Sequence, residues 1–157
     1  MELIWKKLDN EDGHSTGRQL LEQLYRQVTG CAMPPIAVTD RGKPYFENSD
    51  WHFSISHTKN HVFCCMSRKN VGIDAEEMDR TVDLRLADRY LSNAEKTRLE
   101  AESDKNAALL RLWVLKEAYA KRNGKGLGNY LKETNFDPWD KGISCIDGCF
   151  VAVLEGE

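Results

Sequence analysis

The sequence predicts a mixed α+β domain, and three observations predict it. Two long stretches, "GRQLLEQLYRQVTG" and "DKNAALLRLWVLKEAYAKRNG", repeat apolar residues at helical spacing. Short stretches such as "WHFSISH", "VFCCMSR" and "VGIDAEE" read as strands. The tail "NFDPWDKGISCIDGCFVAVLE" closes on a hairpin pattern, so the second half is expected to carry a mainly antiparallel sheet. A chain of 157 residues suits one domain and can bury a real core.

Each element has a local reason. "ELIWKKL" is a first strand. In "GRQLLEQLYRQVTG", Leu20, Leu21, Leu24 and Val28 share one helical face, and Gly30 ends the helix. The next stretch is broken by Pro34, Pro35, Gly42 and Pro44, which leaves loop and short strand. "WHFSISH" and "VFCCMSR" form a hairpin around "TKNH" and lead into "VGIDAEE". From Val82 the pattern turns helical, and Ser92 with Glu95 forms a capping-box pattern that restarts a helix. The longest helix carries Leu109, Leu112, Trp113, Leu115 and Tyr119 as apolar members and stops at Gly124. Asp147-Gly148 is the expected turn of the final hairpin.

Composition narrows the function classes. The apolar fraction of 41% and charged fraction of 30% are those of an ordinary globular protein. A net charge of -3 argues against a nucleic-acid binder, so phosphate recognition has to come from a local basic cluster. No apolar run approaches the roughly 20 residues of a membrane span, and "MELIWKKLDNEDG" has no secretory apolar core. The expected compartment is the cytoplasm, with no membrane partner. Cys31, Cys64, Cys65, Cys145 and Cys149 form no CxxC pair and are read as structural thiols.

The chemistry concentrates in three places. Along "VGIDAEE", Val71, Ile73 and Ala75 share one strand face, and Asp74 and Glu76 share the other. Two like charges that close call for a cation between them or a wet face. In "WVLKEAYAK", Glu117 and Lys121 lie one turn apart, with Lys116 beside them. An exposed ion pair would explain that spacing. So would a hard-oxygen site, in which Asp74, Glu76 and Glu117 hold Mg²⁺ and Lys121 meets a phosphate. Ser56 and His57 end a strand in "SISHT", Lys43 sits on the Gly-Pro loop "DRGKPY", and Arg18 lies near the start of the first long helix. Each of these can bind a phosphate oxygen, and each also occurs as an ordinary surface residue.

Taken together, "GKPYF", "FSISHT", "VGIDAEE" and "WVLKEAYAKRNGKGL" occur in a fixed order with "RYLSNAEK" between the last two. In this the chain resembles the 4'-phosphopantetheinyl transferases, specifically the broad-specificity, surfactin-synthetase-activating type, from about Gly17 to Leu127. The resemblance implies two pseudo-symmetry-related α+β halves in one chain, approximately residues 1–69 and 70–157. It implies transfer of the phosphopantetheine arm of coenzyme A to a serine of an apo acyl or peptidyl carrier protein, releasing 3',5'-ADP. Asp74, Glu76 and Glu117 would hold Mg²⁺ on the pyrophosphate. Glu117 would also take the serine proton, and Lys121 would neutralise the diphosphate. His57, Ser56, Lys43 and Arg18 would grip the phosphates and nucleotide end of coenzyme A.

Because residues of both halves are present, one site in one chain and a monomer are expected. The segment before Arg18 is shorter than the family pattern, leaving Lys6 and Lys7 as its basic candidates. Residues 124–132, with Lys125 and Lys132, are the candidate docking surface for the carrier. Two other readings use the same residues: a Mg²⁺-dependent nuclease or phosphohydrolase, and a non-catalytic relative that binds coenzyme A or a carrier domain.

Overall fold

The apolar run His61–Ser67 is buried at every position, because it is covered on both faces and paired on both edges. It is strand β5 of a computed structural model that describes residues 1–156. Before it come β1 (Glu2–Lys7), α1 (Gly13–Thr29), the short strands β2 (Ile36–Val38) and β3 (Pro44–Phe46), and β4 (His52–His57). After it come β6 (Val71–Glu77), α2 (Arg85–Tyr90), α3 (Asn93–Ala101), α4 (Lys105–Asn123), a 3₁₀ turn at Asn129–Glu133, β7 (Ile143–Ile146) and β8 (Cys149–Glu155).

All strand pairs are antiparallel. One sheet has the order β1-β5-β4 and the other β6-β8-β7, with β2-β3 as a separate hairpin. In both larger sheets the strand that comes first in the chain lies at one edge and the last lies in the middle. Alternation along β5 then sorts the core into layers. Val62, Cys64 and Met66 meet Leu20, Leu21 and Leu24 of α1. Phe63 and Cys65 point the other way, onto Val71, Ile73, Ala75, Cys149 and Val151 of the second sheet. The far face of that sheet, with Ile143, Phe150 and Ala152, is covered by α4. Edges β4 and β6 run together beside this core. They are tied by hydroxyls instead of a backbone ladder: Ser54 Oγ accepts from Ile73 N at 3.1 Å and Ser56 Oγ from Ala75 N at 3.2 Å.

Three local expectations change. Helix α1 begins at Gly13, capped by the Asp12 carboxylate, which accepts from Ser15 N at 2.7 Å. Gly17 reads as a boundary but lies inside the helix, where a Cβ would stand 2.9 Å from Ile55 Cγ2. Arg18 is therefore in the second turn and not at the helix start. The helical pattern from Val82 yields helix only over Arg85–Tyr90, because the Val82 N–H donates to the Asn106 side chain at 3.1 Å instead of entering a helix.

The capping box at Ser92 and Glu95 forms as expected, and Gly30 and Gly124 close α1 and α4 in left-handed conformation. Asp147 and Gly148 both have positive φ, as a tight hairpin turn requires. Helix α4 is buried all round from Ala108 to Lys116, a wider burial than a one-sided stripe implies. Among the described residues no helix is long and apolar enough to cross a membrane.

Candidate functional site

The second residue of "VGIDAEE" decides how the site assembles. A Cβ at Gly72 would lie 2.0 Å from Ala118 O and 2.4 Å from Arg122 N. Only glycine allows the backbone of α4 to lie directly on β6 at this point. The contact covers the strand face that carries Asp74 and Glu76, so that face is not the wet surface it could have been. It also sets Glu117 and Lys121 of α4 against Asp74.

These groups open into one cleft of about 670 Å³, lined on its acidic side by Asp74, Glu76 and Glu117. Asp74 Oδ1 accepts from Lys121 Nζ at 2.7 Å and from Ser56 Oγ at 3.0 Å. Asp74 Oδ2 is buried with no partner, the one such side-chain atom among the described residues. The lysine's partner is thus Asp74, 47 positions away, and not its helical neighbour Glu117. Glu76 pairs with Arg80 on the outer side. Burial pushes the Glu117 carboxyl up to about 7, the charges of Asp74 and Glu76 add to it, and Lys121 and Arg80 oppose it. Burial raises Glu76 as well, against the hydrogen bond from Arg80.

The rim is basic. Arg18, Lys43 and His57 line it, and Ser56 lies at its base. His14 and Arg41 join them, and sequence reading missed both. The signal for His14 was its spacing of one helical turn from Arg18, legible only once the helix is known to begin at Gly13. Arg41 precedes Gly42 on the same hairpin loop as Lys43.

Two of the expected phosphate ligands already hold protein groups. Ser56 donates to Asp74 and accepts from Ala75 N, so its hydroxyl joins β4 to the acidic strand. Lys43 donates at 2.5 Å both to Asn70 Oδ1 and to Arg122 O at the end of α4. Burial, then the charge of Arg122, pulls the Lys43 ammonium below its ordinary pKa. Lys6 and Lys7 do not line the cleft; they pair with Glu11 at 2.8 Å and Asp147 at 3.0 Å. Lys116 turns away from Glu117 and is fully buried against Glu95 at 2.7 Å.

A divalent cation fits the acidic side on the chemistry of its donors. Three hard oxygen donors line this side, burial and then neighbouring like charge raise two of them, and one buried oxygen lacks any partner; as the side chains stand, the three are not drawn within 4.8 Å of one another. In the present side-chain arrangement two of the three are turned to cations, Asp74 to Lys121 and Glu76 to Arg80. The opposite rim, with two arginines, one lysine and two histidines, suits an extended polyanion.

Comparison with known proteins points the same way. A family model described as the 4'-phosphopantetheinyl transferase superfamily matches residues 70–152. A 4'-phosphopantetheinyl transferase of Bacillus subtilis is 32% identical over 161 residues, which cover 94% of this chain and 71% of that protein. The 4'-phosphopantetheinyl transferase gsp of Aneurinibacillus migulanus is 36% identical over 88 residues, covering 55% of this chain and 36% of its own. The 4'-phosphopantetheinyl transferase Sfp of Bacillus subtilis strain 168 is 35% identical over 89 residues, covering 55% and 39%. The chain thus matches less than two fifths of the length of the last two relatives.

Proposed function

The chain belongs to the 4'-phosphopantetheinyl transferase superfamily, and we propose that its reaction moves the phosphopantetheine arm of coenzyme A to a serine of an apo acyl or peptidyl carrier protein. In that reaction the serine oxygen forms a bond to the phosphorus that carries the arm. The diphosphate P–O bond breaks, and 3',5'-ADP leaves. The nucleophile belongs to the partner, so this chain supplies positioning and charge and needs no nucleophile of its own.

The observation that carries the proposal is the meeting of Asp74, Glu117 and Lys121 in one cleft with Arg18, Lys43 and His57. Glu117 is the proposed base, because its carboxyl lines the cleft beside Asp74 and Lys121 where the serine would enter. Lys121 stabilises the charge that develops on the diphosphate, and Asp74 orients it through a 2.7 Å bond. Ser56 positions Asp74 in turn. Arg18, Lys43 and His57, joined by His14 and Arg41, hold the phosphates and nucleotide end. Mg²⁺, which Asp74, Glu76 and Glu117 would hold, supplies charge neutralisation and a template for the diphosphate.

The chain acts as a monomer in this reading, because one copy lines both sides of the cleft. The matching strand orders support a division into two halves at about residue 69. Residues 124–132 remain the proposed face for the carrier, where Lys125 stacks over the Tyr130 ring at 5.5 Å. The nuclease reading shares the acids and Lys121, but the basic residues gather on one rim instead of a broad face.

Incubation with coenzyme A, Mg²⁺ and a panel of apo carrier proteins tests the proposal. The carrier should gain the mass of one phosphopantetheine arm, and Asp74→Ala should not produce it. A wild-type chain that binds coenzyme A tightly yet never modifies any carrier would return the protein to the non-catalytic reading.

A further inference from the structure

A second cluster of ligand-type side chains lies outside the cleft, where the β4–β5 turn meets the β7–β8 turn. His61 opens β5, Glu77 ends β6, and Cys149 opens β8 directly opposite Glu77 in the strand register. His61 Nδ1 is 3.0 Å from Glu77 Oε1 and 3.4 Å from Cys149 Sγ. The three donor atoms lie within 4.8 Å of one another, and this is the group of three or more His, Cys, Asp or Glu side chains with that convergence among the described residues. We propose that His61, Glu77 and Cys149 bind a zinc-class divalent cation.

The geometry is close to what such an ion needs. Tetrahedral bonds of about 2.0–2.3 Å set nitrogen, oxygen and sulfur ligands roughly 3.3–3.6 Å apart, so small outward shifts admit the ion. The donor set of imidazole, thiolate and carboxylate selects Zn²⁺ or Co²⁺ over Mg²⁺, which prefers oxygen alone. The other histidine nitrogen is already placed for the task. His61 Nε2 meets Asp147 Oδ2 at 2.8 Å, and Asp147 is held by Lys7 at 3.0 Å. A carboxylate on the outer nitrogen keeps the proton there and turns Nδ1 inward as a ligand. Thr58 Oγ1 donates to the same Glu77 oxygen at 2.5 Å and fixes its direction.

The site is enclosed but reachable. The side chains of His61 and Glu77 are 5% and 17% exposed and Cys149 is fully buried. A second cavity, lined by Thr58, Lys59, Asn60, Glu77, Asp79 and Arg80, opens beside the glutamate and gives a route from solvent to that ligand. On binding, the thiol proton and any proton on Nδ1 leave to solvent, while Nε2–H stays with Asp147. One dication then balances the glutamate and the thiolate. The ion would clasp the hairpin of one sheet to that of the other, next to Glu76.

The test uses the full chain, stripped with a chelator and titrated with Co²⁺. A thiolate-to-cobalt charge-transfer band should appear, saturate at one ion per chain and be displaced by Zn²⁺ but not by Mg²⁺. It should survive in Asp74→Ala and in a Cys31→Ser/Cys145→Ser double variant, and vanish in Cys149→Ala. Asp147→Asn should weaken Co²⁺ affinity by about 10–100-fold. Absence of the band in the wild type, or its survival in Cys149→Ala, overturns the proposal. If Cys149→Ala does not fold, Glu77→Gln decides: at least a tenfold loss of affinity supports the site, and unchanged affinity overturns it.

Discussion

Asp74 receives two hydrogen bonds on one oxygen and none on the other. That asymmetry gives a pair of predictions. Asp74→Ala should lower turnover by at least about a hundredfold, since it unseats Lys121 and removes a proposed cation ligand. Its melting temperature should stay within a few degrees of wild type, because Lys121 is partly exposed and can turn to water. Ser56→Ala separates two roles for Ser56. As a positioning residue it should lower kcat and leave the KM for coenzyme A nearly unchanged. A KM that rises with kcat preserved would make Ser56 a direct phosphate ligand. The lost acceptor for Ala75 N should also destabilise the fold by about 1–3 kcal/mol.

Glu117 adds a pH prediction at the same scale. Its carboxyl is raised to about 7 in the folded chain from an ordinary 4.5, so the unfolded chain releases this proton first. Folding stability therefore falls as pH rises from about 4.5 to 7 and stays at the lower level above that. Glu117→Gln removes the penalty. Its thermal stability should match wild type near pH 4 and exceed it by a few degrees at pH 8. Added Mg²⁺ should shrink the difference. A gap that does not change with pH would show that Glu117 is not the strained carboxylate of the cluster.

Among elements, the contact between β6 and α4 matters most. Gly72→Ala forces a methyl group into backbone atoms that cannot rotate away. The helix must lift, at about 3 kcal/mol or more, and Glu117 and Lys121 move with it. Lower melting temperature and lower turnover should appear together, as thermal unfolding and the carrier-modification assay would read. Helix α4 has a second anchor in Lys116, which donates to Leu131 O, Thr134 O and Thr134 Oγ1 at 2.6–2.9 Å besides its pair with Glu95. Glu95 in turn accepts from Ser92 N and Phe136 N. Lys116→Met leaves that carboxylate buried without its counter-charge and should cost about 3–5 kcal/mol. The double variant Lys116→Met/Glu95→Gln should recover part of the loss in denaturant titration, since it removes the orphaned charge and keeps an acceptor for one of the two amides.

At the scale of the molecule, much was written in local pattern. The period of two in "VGIDAEE", the apolar run "HVFCCMS", the capping box at Ser92 and the glycines at 30, 124 and 148 set the elements and their ends, because each depends on residues within a few positions. The candidate site was legible as residue types in order: Asp74, Glu76, Glu117 and Lys121, with Arg18, Lys43, Ser56 and His57. Other features depended on contacts between distant segments, which no local signal carries. Lys121 bonds to Asp74 and not to Glu117. Lys116 leaves the cleft for Glu95. Lys6 and Lys7 turn to acids away from the cleft, while His14 and Arg41 take the rim. The α+β class and the stock of acids and bases thus follow from sequence alone, since they rest on short spacing, and the order of four motifs carries the resemblance to the family. Which acid meets which base, and how deep the cleft runs, was decided by the packing of α4 on β6 at Gly72, because partner choice is set by distance in space and not along the chain.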